Sequence, residues 1–120
     1  EGLGAMAFSP LSIGLLSGLY SPEADPPSGS HWASRPLEDF RTKVSGAGGK
    51  VISTLIELAA ELGKTPAQLA LAWVLSHSEI TLAITGGDTV EHLDDNLGAV
   101  GWTLDETVRE KLDIVSASFV

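Results

Sequence analysis

The chain has 120 residues, with 16 acidic against 7 basic side chains for a formal charge of −9, no cysteine and a hydrophobic fraction of 43%. That length and apolar content suit one packed domain, and the missing cysteines exclude a disulfide framework and a thiolate zinc site. Negative charge without a basic patch argues against nucleic acid and anionic membranes as partners, and no apolar run approaches the ~18 residues of a membrane span. The chain opens on Glu1 in place of methionine and runs through Gly2-Leu3-Gly4 into an apolar segment without signal-peptide character, so it reads as a piece of something longer.

The first apolar run is Ala5, Met6, Ala7 and Phe8, stopped by Ser9-Pro10; it predicts a strand over Gly4–Phe8 buried on both faces. SPLSIGLLSG follows, where Gly14 and Gly18 permit close backbone approach and Ser9, Ser12 and Ser17 offer hydroxyls. By spacing alone a ligand loop and a plain connector both fit, because no phosphate-loop motif is matched. From Tyr20 to Gly49 the chain is rich in Pro, Ser and Gly, which predicts a long surface loop over 20–49. Trp32, Arg35 and Phe40 give that loop groups to close with, so it reads as a mobile lid, with a short helix at Asp39-Phe40-Arg41. His31 has no partner at metal-ligand spacing and reads as a solvated loop histidine.

A helix from about Lys50 to Leu62 carries Val51, Ile52, Leu55, Ile56, Leu58, Ala59 and Leu62 at helical spacing and stops at Gly63. The next starts at once, with Thr65 as N-cap, Pro66 in the first position, Gln68 completing a capping box, and Leu69 to Leu75 behind it. Ser76-His77-Ser78 then turns the chain, and His77 reads as structural. Ile80, Leu82 and Ile84 alternate with Thr81 and Ala83 in a strand that ends at Gly86-Gly87. Asp88 and Thr89 can cap the following helix, whose Val90, Leu93, Leu97 and Val100 fall on one apolar face. This strand, glycine turn and helix would place free N–H groups of Gly86 and Gly87 at the carboxyl end of a strand, where α/β proteins bind anions. After a turn at Gly98–Gly101, Thr103 is the expected cap of a last helix with Leu104, Val108, Leu112 and Val115 inward and Asp105 and Glu106 in its first turn. Trp73 and Trp102 read as core or interface aromatics.

The order β, long loop, α, α, β, α, α is the signature of a parallel α/β layout, and two strands so apolar call for further strands on both edges. Four stretches in this order resemble the carboxyl-terminal part of the aldo-keto reductases. GLGAMAFSPLSIGLLSG is similar to that family's seventh barrel strand and phosphate-contacting loop, and GKTPAQLALAWVLSH to its seventh helix. ITGGDTVEHLDDNLGAV is similar to strand eight with the cofactor-clamping loop and helix, and WTLDETVREKLD to the terminal helix. The resemblance spans nearly the whole chain and implies strands 7 and 8, with their helices, of a (β/α)8 TIM barrel, residues 1–120 forming part of a single larger domain.

The resemblance further implies an oxidoreductase that uses NADP or NAD to reduce an aldehyde or ketone, in a cytoplasmic protein with no metal. The positions that match Ser9, Pro10, Leu11, Ser12 and Gly14 line the pyrophosphate in that family, and those that match Gly86, Asp88, His92, Asp95 and Asn96 surround the adenosine end. Asn96 carries both a donor and an acceptor for adenine, and exposed N–H groups at Gly86 and Gly87 suit a phosphate or a ribose. Two positions depart from the pattern. Leu19 stands where related loops often carry a lysine against the pyrophosphate, and Asp88 where they often carry Ser or Arg near the 2′-phosphate. A carboxylate repels that phosphate and accepts bonds from a free ribose diol, which points to NADH binding at least as well as NADPH. The family's Asp, Tyr, Lys and His tetrad belongs to earlier strands; Tyr20, Lys43, Lys50, Lys64 and Lys111 lie outside its context, and no catalytic residue is assigned, so these 120 residues alone are expected to be inactive. Two other readings stand beside this one: a cofactor-binding regulatory subunit of the same fold, of the channel-associated type, and a helical interaction domain unrelated to cofactors.

Overall fold

A computed structural model describes residues 2–119. Strand β1 (Ala5–Phe8) and strand β2 (Ile80–Ile84) lie side by side and parallel, with Met6 opposite Leu82 and Phe8 opposite Ile84. Ala5 pairs with Ile80, which leaves Thr81 bulged out of the ladder. The Thr81 hydroxyl accepts from the Ala5 N–H at 3.1 Å, and a Cβ on Gly4 would crowd that same hydroxyl. The bulge breaks the alternation read from the sequence, so Thr81 and Leu82 are both exposed.

Burial of the strands on both faces does not hold. Ala5, Ala7, Ile80 and Ala83 are half-buried, with α3 (Pro66–Leu75) packed along β2, while Met6, Leu82, Ile84 and Phe8, the last 83% exposed, face solvent. Helices cover one side of this two-stranded sheet, and nothing in the described residues covers the other.

The long loop expected over 20–49 is in large part helical. A 3-10 turn at Trp32–Ser34, helix α1 (Leu37–Val44) and the first turn of α2 (Gly46–Glu61) fall inside it. Helix α2 thus begins four residues before Lys50, within a glycine cluster that reads as loop. Those glycines serve contact: a Cβ on Gly48 would collide with the Lys43 carbonyl and one on Gly49 with the Val44 carbonyl, so α1 can end directly against α2. The aromatics assigned to a closing lid are likewise core residues. Tyr20, Trp32, Phe40 and Val44 pack with Leu15 and Ile52, the Tyr20 and Trp32 rings lying 5.7 and 6.1 Å from Phe40. His31 is exposed, as expected.

The larger core joins α2, α3 and α5 (Glu106–Ser116) through Leu55, Leu58, Ala59, Leu69, Ala70, Val108 and Leu112, with Trp73, Trp102, Leu104 and Val115 at its margin. Helix α3 has the expected start: Thr65 Oγ1 accepts from the Gln68 N–H, and Gln68 Oε1 accepts from the Thr65 N–H. At its other end Trp73 Nε1 donates to Asp113 of α5 at 2.7 Å, and His77 Nδ1 sits 2.8 Å from the Trp73 carbonyl. A carbonyl only accepts, so Nδ1 carries the hydrogen and His77 caps α3, which is the structural role read for it.

Helix α5 is capped two residues later than expected, by Asp105 in place of Thr103, because both the hydroxyl and the N–H of Thr107 donate to the Asp105 carboxylate. Those bonds, the hydroxyl's first, hold the Asp105 carboxyl below its ordinary range. With the folded value depressed, the cap's contribution is complete above the unfolded pKa and is lost as pH falls through the folded one. We expect Asp105→Ala to increase amide exchange in the first turn of α5 at pH 7, and the gap from wild type to close as pH drops below the carboxylate range; hydrogen exchange by NMR checks it.

Candidate functional site

The parallel register places two turns at one edge. Because Phe8 pairs with Ile84, the segment Ser9–Gly14 and the turn Gly86–Thr89 leave neighbouring strands at the same carboxyl end, where α/β sheets bind ligands.

The first turn is a tight, left-handed coil. Ser9, Ser12 and Ile13 have φ of 51°, 51° and 55°, a region that costs a non-glycine residue energy, and Gly14 follows at 81°. The coil is held from within: Ser12 N–H donates to the Ser9 carbonyl, Leu16 N–H to Leu11, and the Ser17 N–H and hydroxyl both to Gly14. It is also held from outside, since the indole N–H of Trp32 donates to the Ile13 carbonyl at 3.0 Å. The hydroxyls of Ser9 and Ser12 are therefore presented on a rigid exposed coil, whereas Pro10 and Leu11 are half-buried and Leu11 packs on the larger core.

In the second turn Gly86, Gly87, Asp88 and His92 are exposed. Among the described residues no hydrogen bond uses the N–H of Gly86, Gly87 or Asp88, and nothing lies within 4 Å of a Cβ position on Gly86. These unused N–H groups, with open space beside Gly86 and with Leu93 and His92 close to Gly87, could donate to a phosphate or ribose oxygen. Thr89 caps α4 (Val90–Leu97) by accepting from the His92 N–H. Glu91 is held below the ordinary carboxylate range by a backbone N–H and then by the Thr89 hydroxyl, so together with Asp88 it puts negative charge at this mouth.

Asp95 and Asn96 are placed differently from the simple picture of two groups facing a ligand. Asn96 is 7% exposed, and its Nδ2 donates to Thr85 Oγ1 at 3.1 Å and to the Gly86 carbonyl at 3.2 Å. Its donor capacity is spent fastening the turn, leaving Oδ1 as the free polar atom. Asp95, one helical position earlier, points its carboxylate at α3, where it accepts from Thr65 Oγ1 at 2.8 Å. Gln68 is expected from the sequence only as half of a capping box, and Thr85 carries no expectation there; a threonine directly after a strand with an asparagine on the next helix is the one signal that marks it.

The apolar face of α4 is also unlike its expected burial, with Val90, Leu93, Leu97 and Val100 exposed and Val100 at 70%. Tyr20 is buried against Phe40, away from solvent, and among the described residues no three His, Cys, Asp or Glu side chains are grouped to hold a metal. No helix among them is long and apolar enough to cross a membrane.

A sequence profile described as the Aldo/keto reductase family matches residues 1–117. The chloroplastic pyridoxal reductase of Arabidopsis thaliana is 35% identical over 112 residues, covering 93% of this chain and 28% of that protein. Pyridoxine 4-dehydrogenase of Escherichia coli is 47% identical over 64 residues, 53% of this chain and 22% of the relative. The L-glyceraldehyde 3-phosphate reductase of the O157:H7 strain is 31% identical, covering 83% of this chain and 29% of the relative. The chain thus spans less than a third of each of these relatives. The solved structure of a glycerol dehydrogenase from Gluconobacter oxydans superposes with a TM-score of 0.68 at 21% identity, covering 98% of this chain and 35% of that one.

Proposed function

Since this chain belongs to the aldo/keto reductase family, we propose that it forms strands 7 and 8 of a (β/α)8 barrel and carries part of the dinucleotide site of a cytoplasmic NAD(P)-dependent reductase of aldehydes or ketones. The observation that supports this most is the pairing of Phe8 with Ile84, which sets the coil at Ser9–Gly14 beside the open N–H groups of Gly86 and Gly87. The rigid coil and its hydroxyls offer donors to a pyrophosphate, and the second turn offers backbone N–H groups and the Asp88 carboxylate to the adenosine end. A bound nicotinamide would supply the hydride chemistry, and the protein's part is to position it against the carbonyl. No residue of this chain is assigned to proton transfer: Tyr20 is buried, and Lys43, Lys50 and Lys111 are exposed away from both turns in sequence.

Charge at the second turn decides the choice of dinucleotide. Asp88 is exposed beside free N–H groups, with Glu91 nearby in sequence and charged, an environment that disfavours a 2′-phosphate and favours a ribose diol. The full-length protein that contains this chain, titrated with NADH and NADPH and followed by amide NMR shifts, is expected to bind NADH at least as tightly. Asp88→Arg should move the ratio of the two dissociation constants towards NADPH on the order of tenfold. Identical curves for both proteins with both dinucleotides would exclude Asp88 from the site, and no binding of either by wild type would remove the nucleotide reading itself.

A further inference from the structure

The capping box of α3 has capacity left over, and all of it is directed at one residue of α4. Thr65 Oγ1, while accepting from the Gln68 N–H, donates to Asp95 Oδ2 at 2.8 Å. Gln68, while its Oε1 accepts from the Thr65 N–H, donates through Nε2 to the Asp95 carbonyl at 3.0 Å. The side chain and the main chain of Asp95 are therefore both held by the first turn of a neighbouring helix. The next residue, Asn96, is buried and holds Thr85 and the Gly86 carbonyl. Two sets of hydrogen bonds, joined by the peptide link between Asp95 and Asn96, lead from the start of α3 to the turn whose N–H groups are open.

Gly98 shows how closely the two helices are matched. Its φ of −63° is ordinary helical backbone, so no conformational need keeps a glycine there. A Cβ at this position would instead collide with Gln68 Nε2. The glycine makes room for the one amide group that ties α3 to Asp95.

We propose that Thr65 and Gln68 are positioning residues for the nucleotide turn: through Asp95 and Asn96 they set the placement of Gly86 and Gly87 without touching the ligand. This rests on the nucleotide reading given above for Gly86 and Gly87. A helix cap serving only α3 would need neither the Thr65 hydroxyl proton nor the Gln68 amide protons, yet both are used on Asp95.

Gln68→Glu separates the two roles. A glutamate still accepts from the Thr65 N–H and keeps the capping box, but it cannot donate to the Asp95 carbonyl and brings a negative charge against it. Gly98→Ala attacks the same contact from the other side while raising helix propensity at the end of α4. The full-length protein that contains this chain is used, with the amide NMR signals of Gly86 and Gly87 and the Asn96 side-chain signals as reporters and NADH as the titrant. In both variants those reporters should shift in the absence of nucleotide, with helix content by circular dichroism unchanged, and NADH should bind roughly tenfold more weakly. Thr65→Ser keeps both bonds of the hydroxyl and should match wild type; Thr65→Val should move the same reporters and, having lost the cap as well, also loosen the start of α3.

If the reporters of Gln68→Glu and Gly98→Ala coincide with wild type and NADH binds them as tightly, the coupling does not exist and the proposal is overturned. If wild type itself fails to bind NADH while the variants still displace the Gly86 and Gly87 signals, the mechanical link stands and it is the nucleotide reading that fails. Reporters that move without any loss of affinity, in a wild type that binds, would also overturn the positioning role.

Discussion

Purified on its own, the 120-residue chain is expected to form concentration-dependent oligomers and to reduce no aldehyde or ketone with either nicotinamide. A barrel of this architecture is normally built from eight strands and ~250 residues, with its site drawn from the carboxyl ends of several of them. Two strands are present here, and both outer edges of the pair are unpaired among the described residues. Met6, Phe8, Leu82 and Ile84 form an exposed apolar patch on the sheet, and Val90, Leu93 and Leu97 of α4, with Val100 in the turn beyond it, are a second exposed apolar group. Apolar surfaces of that kind drive association in water. Light scattering across a concentration series checks the first half, and turnover assays with NADH and NADPH the second. A concentration-independent monomer together with cofactor-dependent reduction would show that these residues form a self-sufficient enzyme.

Phe40→Ala is expected to be the most damaging single substitution in the segment between the strands. Phe40 is 1% exposed, sits between Tyr20 and Trp32, and belongs to the smaller core that fastens α1 to α2. Truncating a fully buried phenylalanine typically costs about 3–5 kcal/mol, a large share of the ~5–15 kcal/mol that holds a domain together. The damage should spread towards the site, because Trp32 is the group that pins the Ile13 carbonyl in the strained coil. Denaturant melts should show the loss of stability, and tryptophan emission should move to longer wavelength as Trp32 becomes wet. A small change in midpoint with unaltered emission would restore the idea of a loosely attached loop.

That idea arose from the sequence for an identifiable reason. Pro22, Pro26, Pro27, Gly29, Gly46, Gly48 and Gly49 are all turn formers by local propensity, and local propensity has no access to the carbonyls of Lys43 and Val44 that require glycine at 48 and 49. Where local chemistry decides the outcome, sequence and structure agree: the box at Thr65 and Gln68 and the strand from Ile80 to Ile84 stand where side-chain type and spacing place them, and of the two caps on offer for α4, Asp88 and Thr89, it is Thr89 that serves. The cap of α5 slipped from Thr103 to Asp105 because two good capping residues compete and both donors of Thr107 reach Asp105. The expected burial of the strands and of α4 presupposed neighbours on every apolar face, and the described residues supply them on one side. In the candidate site, a sequence names residue types but not their directions. Nothing in a linear pattern says that Asp95 turns to α3 while Asn96 turns to Gly86, since that is settled by a rotation of one residue about α4.

The pairing of β1 with β2 also bears on the order of folding. Ala5 and Ile80 meet across roughly 70 intervening residues, whereas α2 and α3 are neighbours in sequence. Closing so long a span before any contact rewards it is slow, so the helices should assemble first and β1 should dock among the last elements. Interactions absent from the transition state act on the unfolding rate and leave the folding rate nearly alone. Substitutions in β1, and a ligand held between the coil after β1 and the turn after β2, should therefore change how long the native state survives far more than how fast it is reached.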